Sequence, residues 1–266
     1  MKLKTVLFRA NSVSLMVNKN ILNLSDMLYW LSRTELLIGK EGVNKLQSSN
    51  VLIVGLGGVG AIAAEMICRA GVGKMTIVDG DTIHATNRNR QLLALGSTEG
   101  RSKAHLMAER LMDINPDLDL TVISEYIKDD RMTEILDSGF SYAVDAIDTL
   151  SPKVFLIYHA VLKNIPIVSS MGSGGKFDPL KISACDISET TDCTLARILR
   201  KRLHRLGIRD GVTAVYSPEV VDKGKVIPVT GERNKASVVG TISYMPAAFG
   251  IACGSVVIRD LAGIQR

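Results

Sequence analysis

The 266-residue sequence predicts an α/β fold: a Rossmann-like, doubly wound, mostly parallel sheet with an elaborated C-terminal part. Three observations carry that expectation. Short apolar runs alternate with helical patterns, as parallel βαβ units require, because each crossover must pass over a face of the sheet. The first clear run, "VLIVGLGGVG" at 51–60, is a strand opening onto four glycines and a helix. The next run, "MTIVDGD", ends in acids at 79 and 81, where a ribose-binding carboxylate belongs in such folds.

In chain order, the spacing predicts strands at 51–54, 75–78, 120–124, 142–146 and 165–169, with helices at 59–70, 103–114, 131–136 and 152–163. Asn115 precedes Pro116 and should end the second helix, because a residue before proline avoids the helical region. Past residue 170 the pattern changes to a glycine-rich loop at 171–179, a short strand near 182–186 and an amphipathic helix at 194–206. The polar stretch 222–237 reads as a mobile loop. The run "AAFGIACGSVVI" after Pro246, 12 residues long, is too short to span a bilayer and predicts a buried, closely packed helix. No membrane association is expected. Residues 1–26 read as a poorly ordered leader, with Met27 as an alternative start, and 27–266 as a single domain.

Composition narrows the function classes. Apolar residues make up 46% and charged residues 22%, ordinary for a chain that buries a core. A net charge of +5 leans towards an acidic partner such as nucleic acid. The cysteines, Cys68, Cys185, Cys193 and Cys253, form no C-x-x-C pair, which argues against a Cys-rich zinc site or a disulfide framework and fits a reducing cytoplasm.

The glycine turn is Gly55, Gly57 and Gly60 in G-x-G-x-x-G, with Gly58 as an extra. Lacking Cβ, these positions let the backbone turn tightly and approach a phosphate at the next helix's N-terminus. Asp79 closes the second strand, and its carboxylate suits two ribose hydroxyls; Asp81 is the rival for that role. Both features serve NAD as well as ATP. "TNRNRQ" at 86–91 discriminates, because guanidinium forks and amides match a triphosphate better than a dinucleotide. Lys103, opening a helix in "GRSK", adds a point charge for the β- and γ-phosphates, although a lone basic residue is more often simply solvated. "DAIDT" places Asp145 and Asp148 at a strand's carboxyl end, where one acid suits magnesium on a nucleotide and Asp148 or Ser151 could instead cap a helix.

In order and spacing, "GLGGVG", "VDGD", "TNRNRQ", "GRSK" and "DAIDT" resemble the adenylating core of the ubiquitin-activating superfamily, as in ThiF and MoeB. "SRTELLIGKEGVNKL", "INPD", "DAIDTLSPK" and "SVVGTISYMPAAFG" extend the likeness to the tRNA threonylcarbamoyladenosine dehydratase branch over about 27–264. The resemblance implies an adenylating domain with an ATP-binding core at about 48–170 and a substrate and dimer part at about 171–266. It implies ATP phosphates on Gly55, Gly57, Gly58 and Gly60, the ribose on Asp79, and Asn87, Arg90 and Lys103 facing the phosphates. Asp148 would bind Mg²⁺, and Arg33 matches the arginine that reaches into a partner subunit's site, so a homodimer is implied. The substrate implied is tRNA carrying threonylcarbamoyladenosine, cyclised with loss of water through an acyl-adenylate; sulfur-transfer partner proteins would also be in keeping.

The alternative is a ThiF/MoeB-type adenylyltransferase acting on a carrier protein's C-terminal glycine, against which the missing zinc cysteines argue. An NAD-dependent oxidoreductase would leave Arg90, Lys103 and Asp148 idle. Cys193 lies just before a helix, where the dipole could make a thiol nucleophilic, but a structural role is the simpler reading. In "TLARILRKRLHRLGIR", Leu195, Ile198, Leu199, Leu203 and Leu206 are expected on one helical face and Arg197, Arg200, Lys201, His204 and Arg205 on the other. Such a face either tracks RNA phosphates or is merely solvated.

Overall fold

A computed structural model describes residues 29–127, 130–222, 224, 226–228 and 237–264. The expected leader and most of the expected mobile loop lie outside these residues.

Five strands appear where the apolar runs predict them: β1 (Asn50–Val54), β2 (Lys74–Val78), β3 (Asp119–Ile123), β4 (Tyr142–Asp145) and β5 (Ile167–Ser170). They join β6 (Ser183–Asp186) and β7 (Thr213–Tyr216) in one seven-stranded sheet of order β3-β2-β1-β4-β5-β7-β6. All pairings are parallel except β6 with β7. β7 was not expected. Its four residues, TAVY, insert between β5 and β6, so the C-terminal part extends the same sheet.

The helices are α1 (Ser32–Gln47), α2 (Gly60–Arg69), α3 (Lys103–Ile114), α4 (Asp130–Leu136), α5 (Leu150–Leu162), α6 (Thr194–Arg205) and α7 (Tyr244–Ala262). α3 ends as expected, with Asn115 extended at φ −136° before Pro116. α5 begins two residues before Pro152, and α1 is broken at Gly39, whose φ of 75° is outside the helical region. β8 (Val226–Pro228) and β9 (Ser237–Val239) form a small antiparallel pair flanking the undescribed part of the expected loop.

Apolar side chains separate into two layers. One packs α2, α3 and α7 against one sheet face through Ala64, Ile67, Met107, Phe249 and Val257. The other packs α4, α5 and α6 through Ile135, Leu156, Leu199 and Leu203. α7 is long and apolar enough to cross a membrane by length and composition, yet half of it is buried inside the fold. It packs closely, as expected of the apolar run. A Cβ at Gly250 would lie 2.5 Å from the Val59 carbonyl oxygen, and one at Gly254 would lie 3.0 Å from Met66 Cβ. Two glycines one turn apart therefore seat α7 directly on α2, beside the glycine turn.

Candidate active site

The strand order reverses at β1, which has β2 on one side and β4 on the other. Crossovers leave this point in opposite directions, so a crevice opens at the carboxyl ends of β1 and β4. The glycine turn fills its floor. Gly55 has φ +92°, and a Cβ there would meet the Ala146 carbonyl oxygen at 2.6 Å. At Gly60 a Cβ would overlap the Gly55 oxygen at 1.8 Å, and at Gly58 it would press Pro246 of α7 at 2.7 Å. These three glycines serve packing. Gly57 differs: the nearest atom to its missing Cβ is Gln91 Nε2, at 3.7 Å. The amides of Gly57 and Gly58 donate to no group among the described residues. Free amides at a helix N-terminus are what an anion requires.

Asp79 is tied to this turn. The Leu56 amide donates to its Oδ2 at 2.6 Å and the Asp81 amide to its Oδ1 at 2.8 Å. Each oxygen keeps a lone pair for a hydroxyl donor. Burial raises the Asp79 carboxyl above its ordinary value, against the two amides and Lys103. Asp81, the sequence rival, has a different partner: Lys103 Nζ lies 2.5 Å from its Oδ2. Burial alone would raise the Asp81 carboxyl, but the Lys103 ammonium outweighs it and holds it below the usual value. Tyr126 donates to Asp81 Oδ1 at 3.2 Å.

The 86–91 stretch folds over the glycine turn, with the Arg90 carbonyl oxygen 3.1 Å from the missing Gly58 Cβ. Asn87 is buried, and its Oδ1 accepts from the His84 amide, which shapes the loop. Arg88 pairs with Glu99, and Asn89 Nδ2 donates to the Thr241 carbonyl at 3.0 Å. The Arg90 guanidinium is turned back onto its loop, bonding the Thr86 carbonyl and Asn89 Oδ1. Gln91 was not singled out from sequence. Its buried Oε1 has no hydrogen-bond partner among the described residues, beside the glycine of the turn that leaves most room. An orphaned buried acceptor costs about 1–3 kcal/mol unless a ligand or water supplies a donor. Free amides, open space and this orphan together fit a nucleotide.

Beyond β4 the two acids separate. Asp145 is fully buried at 0% exposure, with Lys153 Nζ of α5 at 2.8 Å and Ser169 Oγ donating at 2.6 Å. Lys153, 1% exposed, also donates to the Ile147 carbonyl at 3.0 Å. Asp145 is thus committed to an internal ion pair and is set aside as a magnesium ligand. Asp148 is exposed, accepts no hydrogen bond among the described residues and caps no helix; Thr149 holds the cap position of α5. Asp81 accepts from Tyr126 and Asp79 holds the Asp81 amide past β2, while Asp148 follows β4, so all three lie at the carboxyl edge of the parallel strands β2, β1 and β4. A single free carboxylate there fits magnesium, which takes one or two carboxylates and otherwise nucleotide oxygens and water.

Other sequence candidates lie apart. Arg33 is exposed on α1; Leu31, just before α1, packs on Gly71 past the far end of α2, roughly 15 Å of helix from the glycine turn. Cys193 is buried at the N-terminus of α6. On α6 the buried face is Ala196, Leu199 and Leu203, whereas Ile198 and Leu206 are exposed, contrary to the expected stripe. Arg200 leaves the basic face as well, donating to the Ile187 and Thr190 carbonyls and to Thr190 Oγ1.

The profile of the ThiF family matches residues 31–266. The chain belongs to the ThiF family. Within it, the sequence is 37% identical over 242 residues to the tRNA threonylcarbamoyladenosine dehydratase of Bacillus subtilis, covering 88% of this chain and 95% of that one. The enzyme of the same name from Escherichia coli is 34% identical over 86% of this chain and 91% of its own length. The crystal structure of the E. coli enzyme, TcdA, in complex with ATP superposes with a TM-score of 0.80 at 32% identity, over 88% of this chain and 94% of that one. The family and the branch are those that the sequence motifs indicate, and the Rossmann-like sheet is common to both chains.

Proposed function

We propose that this chain is an ATP-dependent tRNA threonylcarbamoyladenosine dehydratase of the cytoplasm, closing a ring on the modified adenosine through an acyl-adenylate. The observation that carries this reading is the crevice itself: uncommitted glycine amides, a ribose-competent Asp79 and a free Asp148, in a chain alignable almost end to end with named dehydratases. Residues 27–266 are read as one adenylating unit.

The threonylcarbamoyl group ends in a carboxylate, whose oxygen is too poor a leaving group for direct ring closure. Attack of that carboxylate on the α-phosphorus of ATP breaks the bond to the β-phosphate and releases pyrophosphate. A urea nitrogen then attacks the activated carbonyl, the carbonyl carbon–oxygen bond breaks, AMP departs and the nitrogen loses its proton. The second step is intramolecular, so held geometry can supply roughly 7–11 kcal/mol of its barrier. Asp79 orients the ribose, the Gly57 and Gly58 amides hold phosphate oxygens, and Lys103 offsets the charge on departing pyrophosphate, joined by Arg90 once its guanidinium leaves the Thr86 carbonyl and Asn89. Asp148 would hold magnesium, which supplies Lewis-acid stabilisation of the same charge.

A homodimer completes the reading. Leu36 and Leu37 on α1 are 74% and 85% exposed beside Arg33, an apolar surface that a second copy would cover while carrying Arg33 towards the neighbouring crevice. Mixing equal amounts of Arg33→Ala and Asp148→Ala subunits is expected to restore about a quarter of the parental activity, which neither variant shows alone, because about half of the dimers are hybrids and each has one intact site of two. Sulfur-transfer partner proteins are compatible with this surface but have no assigned place on it.

The test is pyrophosphate exchange into ATP with two candidate acceptors. Exchange is expected with tRNA bearing threonylcarbamoyladenosine and not with a carrier protein ending in glycine. Exchange with the carrier alone would establish the adenylyltransferase alternative instead.

A further inference from the structure

We infer that the exposed face of α6 is the surface that holds the RNA backbone, a reading that rests on the proposed tRNA substrate and locates its docking site. α6 carries five arginines and lysines and no acid. At 100° per residue, Arg197, Lys201, Arg202, His204 and Arg205 fall on one solvent-facing arc opposite the buried Ala196, Leu199 and Leu203. Arg197, Lys201 and Arg205 repeat every fourth residue, in steps of about 6 Å along the helix.

Pairing separates this face from many other surface arginines. Elsewhere Arg69, Arg88, Arg101, Arg110 and Arg131 each engage a carboxylate. Among the described residues, none of the cations on the α6 arc does so. Arg202 has a different contact: it donates to Ser151 Oγ at 3.3 Å, in the first turn of α5 and three residues past Asp148. The unpaired strip therefore runs up to the mouth of the crevice.

Charge complementarity selects the occupant. On the proposed reading the crevice holds ATP and admits one modified base, which leaves the rest of the RNA backbone on the surface around it. An RNA must therefore be held outside the mouth, by cations with no internal partner. Arg197, Lys201 and Arg205 are of that kind, on the arc that Arg202 joins to α5 beside it.

The experiment uses the full chain with Arg197→Gln, Lys201→Gln and Arg205→Gln combined, and Arg131→Gln as a surface-charge control. Binding of unmodified tRNA, without ATP, is followed by fluorescence anisotropy across salt concentration, and thermal melting checks that each variant is folded. Each phosphate contact contributes about 0.7–0.9 to the slope of log affinity on log salt, so the triple variant should lose about 2 units of slope and at least tenfold in affinity. Its KM for ATP should stay within about twofold, and the control should match the parent chain. A triple variant with unchanged slope and affinity would overturn the assignment, whether or not the chain proves to be a dehydratase. Loss of binding to an acidic carrier protein or to anionic vesicles, with tRNA binding intact, would overturn it equally. Loss of tRNA binding in a chain that forms no cyclised product would uphold the surface and reject the reaction.

Discussion

Replacing Lys103 by alanine is expected to slow acyl-adenylate formation by on the order of a hundredfold or more while leaving the fold intact. The side chain is almost fully buried at the first position of α3, so its ammonium is fixed rather than free on a flexible stem. Among the described residues its one carboxylate partner is Asp81, at 2.5 Å, on the loop that carries Asp79. A cation already in place needs no reorganisation as pyrophosphate takes up charge, and the loss of one such preorganised group costs about 10²–10³ in rate. Lys103→Arg should recover little, because a planar fork does not fit where a compact ammonium is packed. Single-turnover release of pyrophosphate at saturating ATP is the measurement. Parental rates in a folded Lys103→Ala chain would reduce Lys103 to a counter-ion for Asp81.

The largest loss of stability is expected at Lys153→Met. Removing the ammonium leaves Asp145 as an unpaired charge at 0% exposure, with only Ser169 and the Ile147 amide as donors. Breaking a buried pair from one side costs about 3–5 kcal/mol, a large share of a typical domain's stability. Adding Asp145→Asn removes the stranded charge and should recover more than half of that loss. Urea midpoints of the two variants give the comparison directly. The pair also bears on the site, since Lys153 ties α5 to the Ile147 carbonyl, immediately before Asp148. A single variant as stable as the parent chain would show that water or a neighbouring donor already satisfies Asp145.

Much of this was readable in the sequence, and the exceptions share a cause. β1 to β5 and α2 to α6 follow from local period, because a strand or helix that faces the core must repeat its apolar residues at its own spacing. The crevice was readable through its glycines and acids for the same reason, since they sit at strand ends. β7 was not, because the four residues TAVY are too few to establish a period. Lys153 reads as one more surface lysine until α5 is laid against β4, and only then does its nitrogen fall beside Asp145. Gln91 likewise gains meaning from Gly57, 34 positions away in the chain but 3.7 Å away across the turn. On α6 the amphipathic pattern was plain, but two carbonyls on a neighbouring turn, at Ile187 and Thr190, capture Arg200 and remove it from the basic face.

The reaction is tested most directly by mass spectrometry of nucleosides from tRNA bearing threonylcarbamoyladenosine after incubation with the chain, ATP and magnesium. The expected result is a product lighter by one water, about 18 mass units, formed with AMP and pyrophosphate and only when ATP is present. An unchanged threonylcarbamoyladenosine peak, from protein that binds both ATP and tRNA, would contradict the assignment.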